Sequence, residues 1–326
     1  MAKVAVFGTG YWGKNLIRNL HALGALARVV KRSPESREQV AEWAPGVPVS
    51  ADAAAVLADP GIGAVALATP AETHFELVRR ALEAGKDVLV EKPLTLKADE
   101  ARALVDLAAA RGRILMVGHQ LEYHPAVERT YELVRAGELG EVRYVVSNRL
   151  NWGRFRSEEN ALWSLAPHDV GLVLGVLGAE PVEVCATGGA FLQPGIADNA
   201  VVQMKFPGGA RAHLFVSWLH PLKERALVVV GSKQALSFDD MAGKLRLHDH
   251  GVDWKSGKPV PVQGKDVEVP FAKDEPLRRE CQHFLDCIRE RAVPRTDGRM
   301  GLRVVSVLDA AQRSLERGGE IVRLGS

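Results

Sequence analysis

Six residues near the start of the chain, Gly8-Thr9-Gly10-Tyr11-Trp12-Gly13, have the types and spacing to hold a diphosphate. The pattern is short and recurs by chance. Here an apolar run, Val4–Phe7, leads into it, and a helix-forming stretch, Asn15–Leu23, leaves it. In that setting Gly8 permits a tight turn, Gly10 lets the backbone approach a pyrophosphate, and Gly13 lets the helix pack on the strand. Free N–H groups at the helix start then face the phosphates, favoured by the helix dipole. The second strand normally ends in an acid that holds the adenosine ribose. This chain has Lys31-Arg32-Ser33 there. Cations in place of a carboxylate favour a 2′-phosphate, hence NADP over NAD; a solvated basic turn beside a less selective site is the alternative.

Other reactive groups suggest less. His248 and His250 sit two apart in His248-Asp249-His250 and could share one face of a strand, but no third ligand lies close in sequence. A polar turn is the expectation there, and no metal. Cys185, Cys281 and Cys287 form no CxxC pair and no zinc spacing, so they read as inert thiols in a reducing compartment. The formal charge of +2, with both signs interspersed, argues against a nucleic-acid-binding surface. Met1-Ala2-Lys3 runs directly into an apolar strand without signal-peptide features, and no apolar run approaches the ~20 residues of a membrane helix. A cytoplasmic, soluble protein without a membrane partner is expected.

The elements that must position these groups follow from hydrophobic patterning. At 326 residues, 47% hydrophobic and 25% charged, the chain is long enough for two ordinary globular domains. Short apolar runs at Val4–Phe7, Leu26–Val30, Ala64–Ala68, Asp87–Val90 and Ile114–Val117 alternate with helix-length segments such as Glu72–Ala84 and Ala98–Ala110. This βαβ rhythm predicts a doubly wound parallel sheet over residues 1–119, a Rossmann domain. The rhythm then changes. A helix over Pro125–Ala136 and a strand over Val142–Asn148 precede a helix expected at Asp169–Leu177. Strands at Val201–Phe206, Ala210–Trp218, Ala226–Val230 and Ala235–Phe238 read as a meander, so residues 120–326 should form an α+β domain with a largely antiparallel open sheet. Asp253–Asp266 reads as an exposed loop or hairpin, and helices at Pro276–Arg291 and Gly298–Arg317 close the chain.

Glu91-Lys92-Pro93 follows the strand Asp87–Val90 directly. With the N-terminal glycines and the stretch Ala68-Thr69-Pro70…Thr73-His74, it resembles the Gfo/Idh/MocA family over essentially the full length. The resemblance implies NAD(P)-dependent oxidation or reduction of sugars and polyols, with substrate between the domains and the second-domain sheet often serving as a dimer or tetramer interface. Position by position, Glu91 resembles the residue near the nicotinamide ribose, and Lys92 the lysine that reaches the reacting hydroxyl. Thr69, Pro70 and His74 resemble the wall beside the cofactor. His168, in Trp163–Asp169, stands where the family carries its catalytic histidine; the aspartate many members place four residues earlier is Ser164 here. Gly118-His119-Gln120, Glu158-Glu159-Asn160 and Ser217-Trp218-Leu219-His220-Pro221 resemble the branch that oxidises the 3-hydroxyl of UDP-N-acetylglucosamine or its uronate. Gln120 is accordingly counted with the cofactor residues.

The chemistry that this resemblance implies needs a proton acceptor and an oriented cation. Oxidising a secondary alcohol sends hydride to nicotinamide and a proton to a base. A neutral His168 would serve as that base and Lys92 would stabilise the developing alkoxide, although a desolvated lysine could exchange roles with it. His168 could instead cap a helix start with Asp169. Arg154 and Arg156, with Asn160 nearby, form the cluster best suited to a substrate diphosphate; solvated loop charge is the alternative. Lys223 and Arg225 are second candidates. Trp218 and His220 either line the substrate cavity or pack at a sheet end. A dehydrogenase of a free sugar or polyol, or a non-catalytic NAD(P)-binding regulator, are the competing functions.

Overall fold

A computed structural model describes residues 2–31, 36–153 and 155–325. The chain packs as two compact units. Met1–Tyr123 and Asp274–Ser306 form one, and His124–Lys273 with Val307–Ser326 form the other.

In the first unit, strands β1 (Val4–Phe7), β2 (Leu26–Val30), β3 (Val49–Ser50), β4 (Ala64–Leu67), β5 (Asp87–Glu91) and β6 (Leu115–Gly118) pair in parallel in the order β3-β2-β1-β4-β5-β6. Helices α1 (Tyr11–Ala22), α2 (Ser36–Trp43), α3 (Ala53–Ala58), α4 (His74–Glu83) and α5 (Ala98–Ala110) connect them. Every residue of β1, β4, β5 and β6 is buried, as expected for a parallel sheet covered on both faces. The order reverses direction beside β1, so the C-terminal ends of β1 and β4 open the crevice in which such sheets bind ligands.

The second unit begins with α6 (Pro125–Arg135), β7 (Val142–Trp152) and α7 (Ala161–Leu177). Strands β8 (Glu183–Gly189), β9 (Asn199–Lys205), β10 (Arg211–Ser217), β11 (Leu219–Gly231), β12 (Ala235–Asp239) and β13 (Lys244–His248) follow. An exposed hairpin, β14 (Gly251–Lys255) and β15 (Lys258–Val262), precedes β16 (Asp266–Glu268). A nine-stranded sheet runs β16-β13-β12-β11-β7-β10-β9-β8-β17, where β17 is Val322–Arg323. Its neighbours are antiparallel except β7 and β10.

Two expectations differ from what forms. Helix α7 starts eight residues before the expected Asp169 and runs through Pro167. A proline inside a helix forfeits one backbone bond and costs about 3 kcal/mol or more. The Asn160 side chain offsets part of that by accepting from the Trp163 N–H, and apolar residues on both sides of Pro167 are buried. The closing helices also divide differently from a cut at 119/120. Helix α8 (Pro276–Glu290) packs in the first unit, burying Leu277, Phe284 and Leu285 in the core around β1 and α1. Each such side chain contributes about 1.5–3 kcal/mol, enough to draw a helix back across the chain. The first part of α9 (Gly298–Glu316) belongs to that unit and the remainder to the other.

Candidate active site

The turn after β1 is built from backbone. Gly8 has φ +95°, and a Cβ there would overlap the Ala68 carbonyl oxygen. A Cβ on Gly13 would overlap the Gly8 carbonyl, which is how tightly α1 seats on the strand end. Gly10 is different: a Cβ there meets nothing within 4 Å. Its open side faces away from the protein's own packing. Gly10 also precedes α1 and, among the described residues, gives it no side-chain cap, the arrangement that suits a helix start facing an anion. Thr9 is only 7% exposed, and no hydrogen-bond partner for its Oγ1 is found among the described residues. An uncapped helix start, an open glycine and a buried hydroxyl without a partner fit a diphosphate. Tyr11 and Trp12 meet edge to face, ring centroids 5.4 Å apart, with Tyr11 exposed. Lys31, half-buried, donates its backbone N–H to Ser50 O at 2.9 Å. Arg32 and Ser33 lie outside the described residues.

The turns after β4 and β5 are tied together by one imidazole. His74 Nε2 is 2.9 Å from Thr69 O and its Nδ1 is 2.7 Å from Pro93 O. Burial lowers its pKa against the pull of those two carbonyls, and a neutral ring donates to one of them at a time. His74 is 1% exposed, so the expected wall residue is a clamp: it sets the positions of Thr69, Pro70 and Pro93 and presents little surface itself. Thr69 and Thr73 share a hydroxyl–hydroxyl bond of 2.7 Å, and Thr73 donates to Pro70 O. Lys92 stands half-buried after β5, followed by a cis bond to Pro93. Gln120, also half-buried, opens the short turn after β6.

The charges around Lys92 are unusual. Burial pushes the Glu91 carboxyl up to about 7, although the Lys92 ammonium and its backbone N–H pull it down. Burial, joined by the nearby Glu91 charge, holds Glu280 of α8 well above the usual carboxylate range. Glu280 is 1% exposed and its Oε1 finds no donor among the described residues. His119, buried and close enough to Lys92 to feel its charge, is lowered to about 3. A Cβ on Gly118 would sit 3.2 Å from Glu91 Oε2, so a glycine before His119 leaves room for that carboxyl. Lys92 therefore lies close enough to a buried, raised carboxyl and a neutral imidazole to shift both, and Glu91 in turn acts on a second buried acid, Glu280. Sequence reasoning passed over Glu280, although the signal was legible: an acid on the apolar stripe that carries Leu277, Cys281 and Phe284.

In the second unit, His168 is half-buried within α7, not at its start, so the capping alternative fails. Its neighbour Asp169 is 1% exposed and bound three times. Arg149 Nε reaches Oδ2 at 2.6 Å, Arg149 Nη2 reaches Oδ1 at 3.2 Å, and Ser147 Oγ donates to Oδ1 at 2.7 Å. Ser147 and Arg149 alternate along β7 and so share the face turned to α7. This buried ion pair holds the helix turn that carries His168; the sequence pointed to Asp169 only as a cap and gave no sign of Arg149.

The expected substrate cluster is less coherent. Asn160 caps α7 and donates from Nδ2 to Gln312 Oε1 at 2.8 Å, which accounts for both ends of its amide structurally. Arg156 is exposed and pairs with Glu159 at 3.2 Å. Arg154 lies outside the described residues. Lys223 is exposed, and Arg225 pairs with Asp240 at 3.4 Å. Trp218 is 1% exposed and donates from Nε1 to Asp198 Oδ1 at 2.6 Å, which makes it sheet-end packing and not a cavity wall. His220 is half-buried against Phe215, with Nδ1 2.9 Å from Leu222 O. Ser164, where a carboxylate could have stood, is buried at 8%.

Comparison with known proteins agrees with this architecture. Residues 2–119 match the oxidoreductase family with NAD-binding Rossmann fold, GFO_IDH_MocA, and residues 127–237 match the GFO/IDH/MocA C-terminal domain. The chain is 31% identical to UDP-N-acetylglucosamine 3-dehydrogenase of Acidithiobacillus ferrooxidans, over 93% of this chain and 94% of that one. It is 30% identical to the scyllo-inositol 2-dehydrogenase (NAD(+)) of Bacillus subtilis strain 168, over 90% and 87%. A solved structure of the Acidithiobacillus ferrooxidans enzyme superposes with a TM-score of 0.85 at 29% identity, covering 97% of this chain and 98% of that one.

Proposed function

The chain belongs to the Gfo/Idh/MocA family of NAD(P)-dependent oxidoreductases, and we propose that it oxidises a secondary hydroxyl, at C3, of a nucleotide-activated amino sugar such as UDP-N-acetylglucosamine or its uronate. The observation that carries this reading is the match to the UDP-N-acetylglucosamine 3-dehydrogenase along nearly the whole of both chains.

Bound at the Gly8–Gly13 turn, the dinucleotide supplies a hydride acceptor. The chain's own residues do the rest. The backbone N–H groups of the α1 start, the open side of Gly10 and the Thr9 hydroxyl hold the phosphates. Thr69 and Pro70, fixed by the His74 clamp, and Glu91 and Gln120 border the nicotinamide end. Lys92 holds the reacting hydroxyl and stabilises negative charge as its proton leaves. His168 accepts that proton, and Asp169, fixed by Arg149 and Ser147, keeps its helix turn in place. Arg154 and Arg156, with Asn160 close to them in sequence, meet the substrate diphosphate. Lys31, Arg32 and Ser33 favour a 2′-phosphate and hence NADP; at least tenfold tighter binding of NAD would defeat that preference.

A second reading, oxidation of an inositol-like polyol, is favoured by the scyllo-inositol dehydrogenase at nearly equal identity. Absorbance of reduced nicotinamide, followed over UDP-sugars, free sugars and inositols with each cofactor, separates them. Turnover on UDP-N-acetylglucosamine or its uronate is expected; turnover confined to inositol transfers the assignment to the second reading. Self-association through the sheet of the second unit, as a dimer or tetramer, is part of the same reading and rests on the family resemblance.

A further inference from the structure

The two histidines that the sequence left as a polar turn gain a third partner when the sheet forms. Strand β16 pairs with β13 so that Asp266 stands directly opposite His248. His248 Nδ1 lies 2.8 Å from Asp266 Oδ1, and His250 Nε2 lies 3.5 Å from the same oxygen. The two imidazoles stack with centroids 5.9 Å apart at 26°. One ligand atom from each residue falls within 4.8 Å of the others. Donors around a tetrahedral ion at about 2.0–2.1 Å stand roughly 3.3 Å apart, so small side-chain rotations close the gap.

We propose that His248, His250 and Asp266 form a site for a divalent transition metal of the zinc, nickel or cobalt class, which fastens the base of the hairpin β14–β15 to the edge of the sheet.

Two further features support a built site. Ser237 Oγ lies 2.8 Å from His248 Nε2, the nitrogen turned away from the cluster. With Nδ1 on a metal, Nε2 carries the proton and donates to that hydroxyl, the outer contact that orients ligating histidines. The backbone is also drawn together at the same place. Asp249 N–H donates to Lys265 O at 3.2 Å, and a Cβ on Gly264 would overlap the Asp249 carbonyl oxygen. The ligand chemistry, two imidazoles and one carboxylate, suits borderline ions and leaves coordination positions for water; magnesium and calcium prefer all-oxygen sites. The need is evident in the hairpin itself. Nearly every residue of β14 and β15 is exposed, and a two-stranded ribbon is marginal alone. His250 immediately precedes β14, so a metal bond there restrains the ribbon's root.

Chelator-treated full-length protein should be titrated with zinc sulfate in a calorimeter, and with cobalt(II) by visible absorption. One ion per chain is expected, with tetrahedral cobalt bands. His250→Ala and Asp266→Asn should each weaken binding at least about tenfold, as should Ser237→Ala through the outer contact. His250 and Asp266 are exposed and Ser237 is half-buried on the interior strand β12, and circular dichroism in chelator checks that the variants fold. Zinc should also slow proteolysis within residues 251–262 in the parent and not in His250→Ala. Absence of saturable binding overturns the proposal, as does binding that His250→Ala and Asp266→Asn both leave intact. Because none of these readouts uses substrate or cofactor, they stand or fall apart from the proposed dehydrogenase reaction.

Discussion

The turn at Gly8–Gly13 and the segment from Arg154 to His168 were both read from sequence as binding machinery, and they fared differently. At the first, each glycine has its own geometric reason: a left-handed turn at Gly8, close packing at Gly13, open space at Gly10. At the second, Asn160 is used as a helix cap, Arg156 is paired on the surface, and the support for His168 comes from Arg149 and Ser147 on another element. Sites made of backbone announce themselves in local sequence, because the constraint is steric and falls on consecutive residues. Sites made of side chains depend on partners that the fold recruits from elsewhere.

The sharpest way to break that contrast is Arg149→Ala. It leaves the Asp169 carboxylate buried without its cation and should cost about 3–5 kcal/mol of stability, measured by denaturant unfolding. A loss within about 0.5 kcal/mol, the range of an ordinary surface change, would show that the pair does not support α7. Next in size are Lys92→Ala and His168→Ala. Each should lower turnover about a hundredfold or more without comparable loss of stability. Near-normal turnover in both discards the proposed roles.

The glycines test the backbone half of the comparison. Gly8→Ala should destabilise the first unit and abolish cofactor binding together, since the new methyl meets the Ala68 carbonyl. Gly10→Ala should leave the melting temperature unchanged while weakening the cofactor tenfold or more, because a Cβ there meets only the space reserved for phosphate. If both variants behave alike, the distinction between packing and binding glycines is lost.

The smallest effect concerns the buried acids. Glu91 is raised from 4.5 to about 7 and Glu280 is raised as well, so the folded chain holds protons that the unfolded chain has released. For Glu91 that stabilisation is complete below the ordinary carboxylate range and is lost as pH rises through about 7, and Glu280 acts in the same direction. His119 and His74 act in the opposite sense. They are neutral when folded, so stability falls as acid protonates the unfolded chain below about 6.5. Glu280→Gln should therefore flatten the loss of melting temperature between pH 6 and 8 by about 2–4 °C. An unchanged slope would mean that Glu280 is not held protonated in the folded chain.

Much of the fold was legible. The five longer strands of the parallel sheet follow apolar runs bounded by turn residues, and α5 spans Ala98–Ala110 as its pattern requires. The start of α7 was not, because Pro167 reads locally as a break and is tolerated only when a cap and a buried face support the helix around it. His74 was placed correctly beside the turn at Thr69, yet its work as a clamp between two loops became visible only with Pro93 beside it.

By itself the sequence determined the parallel sheet, the glycine turn and the lysine at the end of β5, since these depend on hydrophobic period and on the steric needs of neighbouring residues. Tertiary structure alone decided which charges became buried and what they face: Arg149 with Asp169, Glu91 near Glu280, His248 and His250 with Asp266. Burial strengthens electrostatic and donor–acceptor interactions only after packing has excluded water. No local pattern of residue types can state in advance which distant partner that packing will supply.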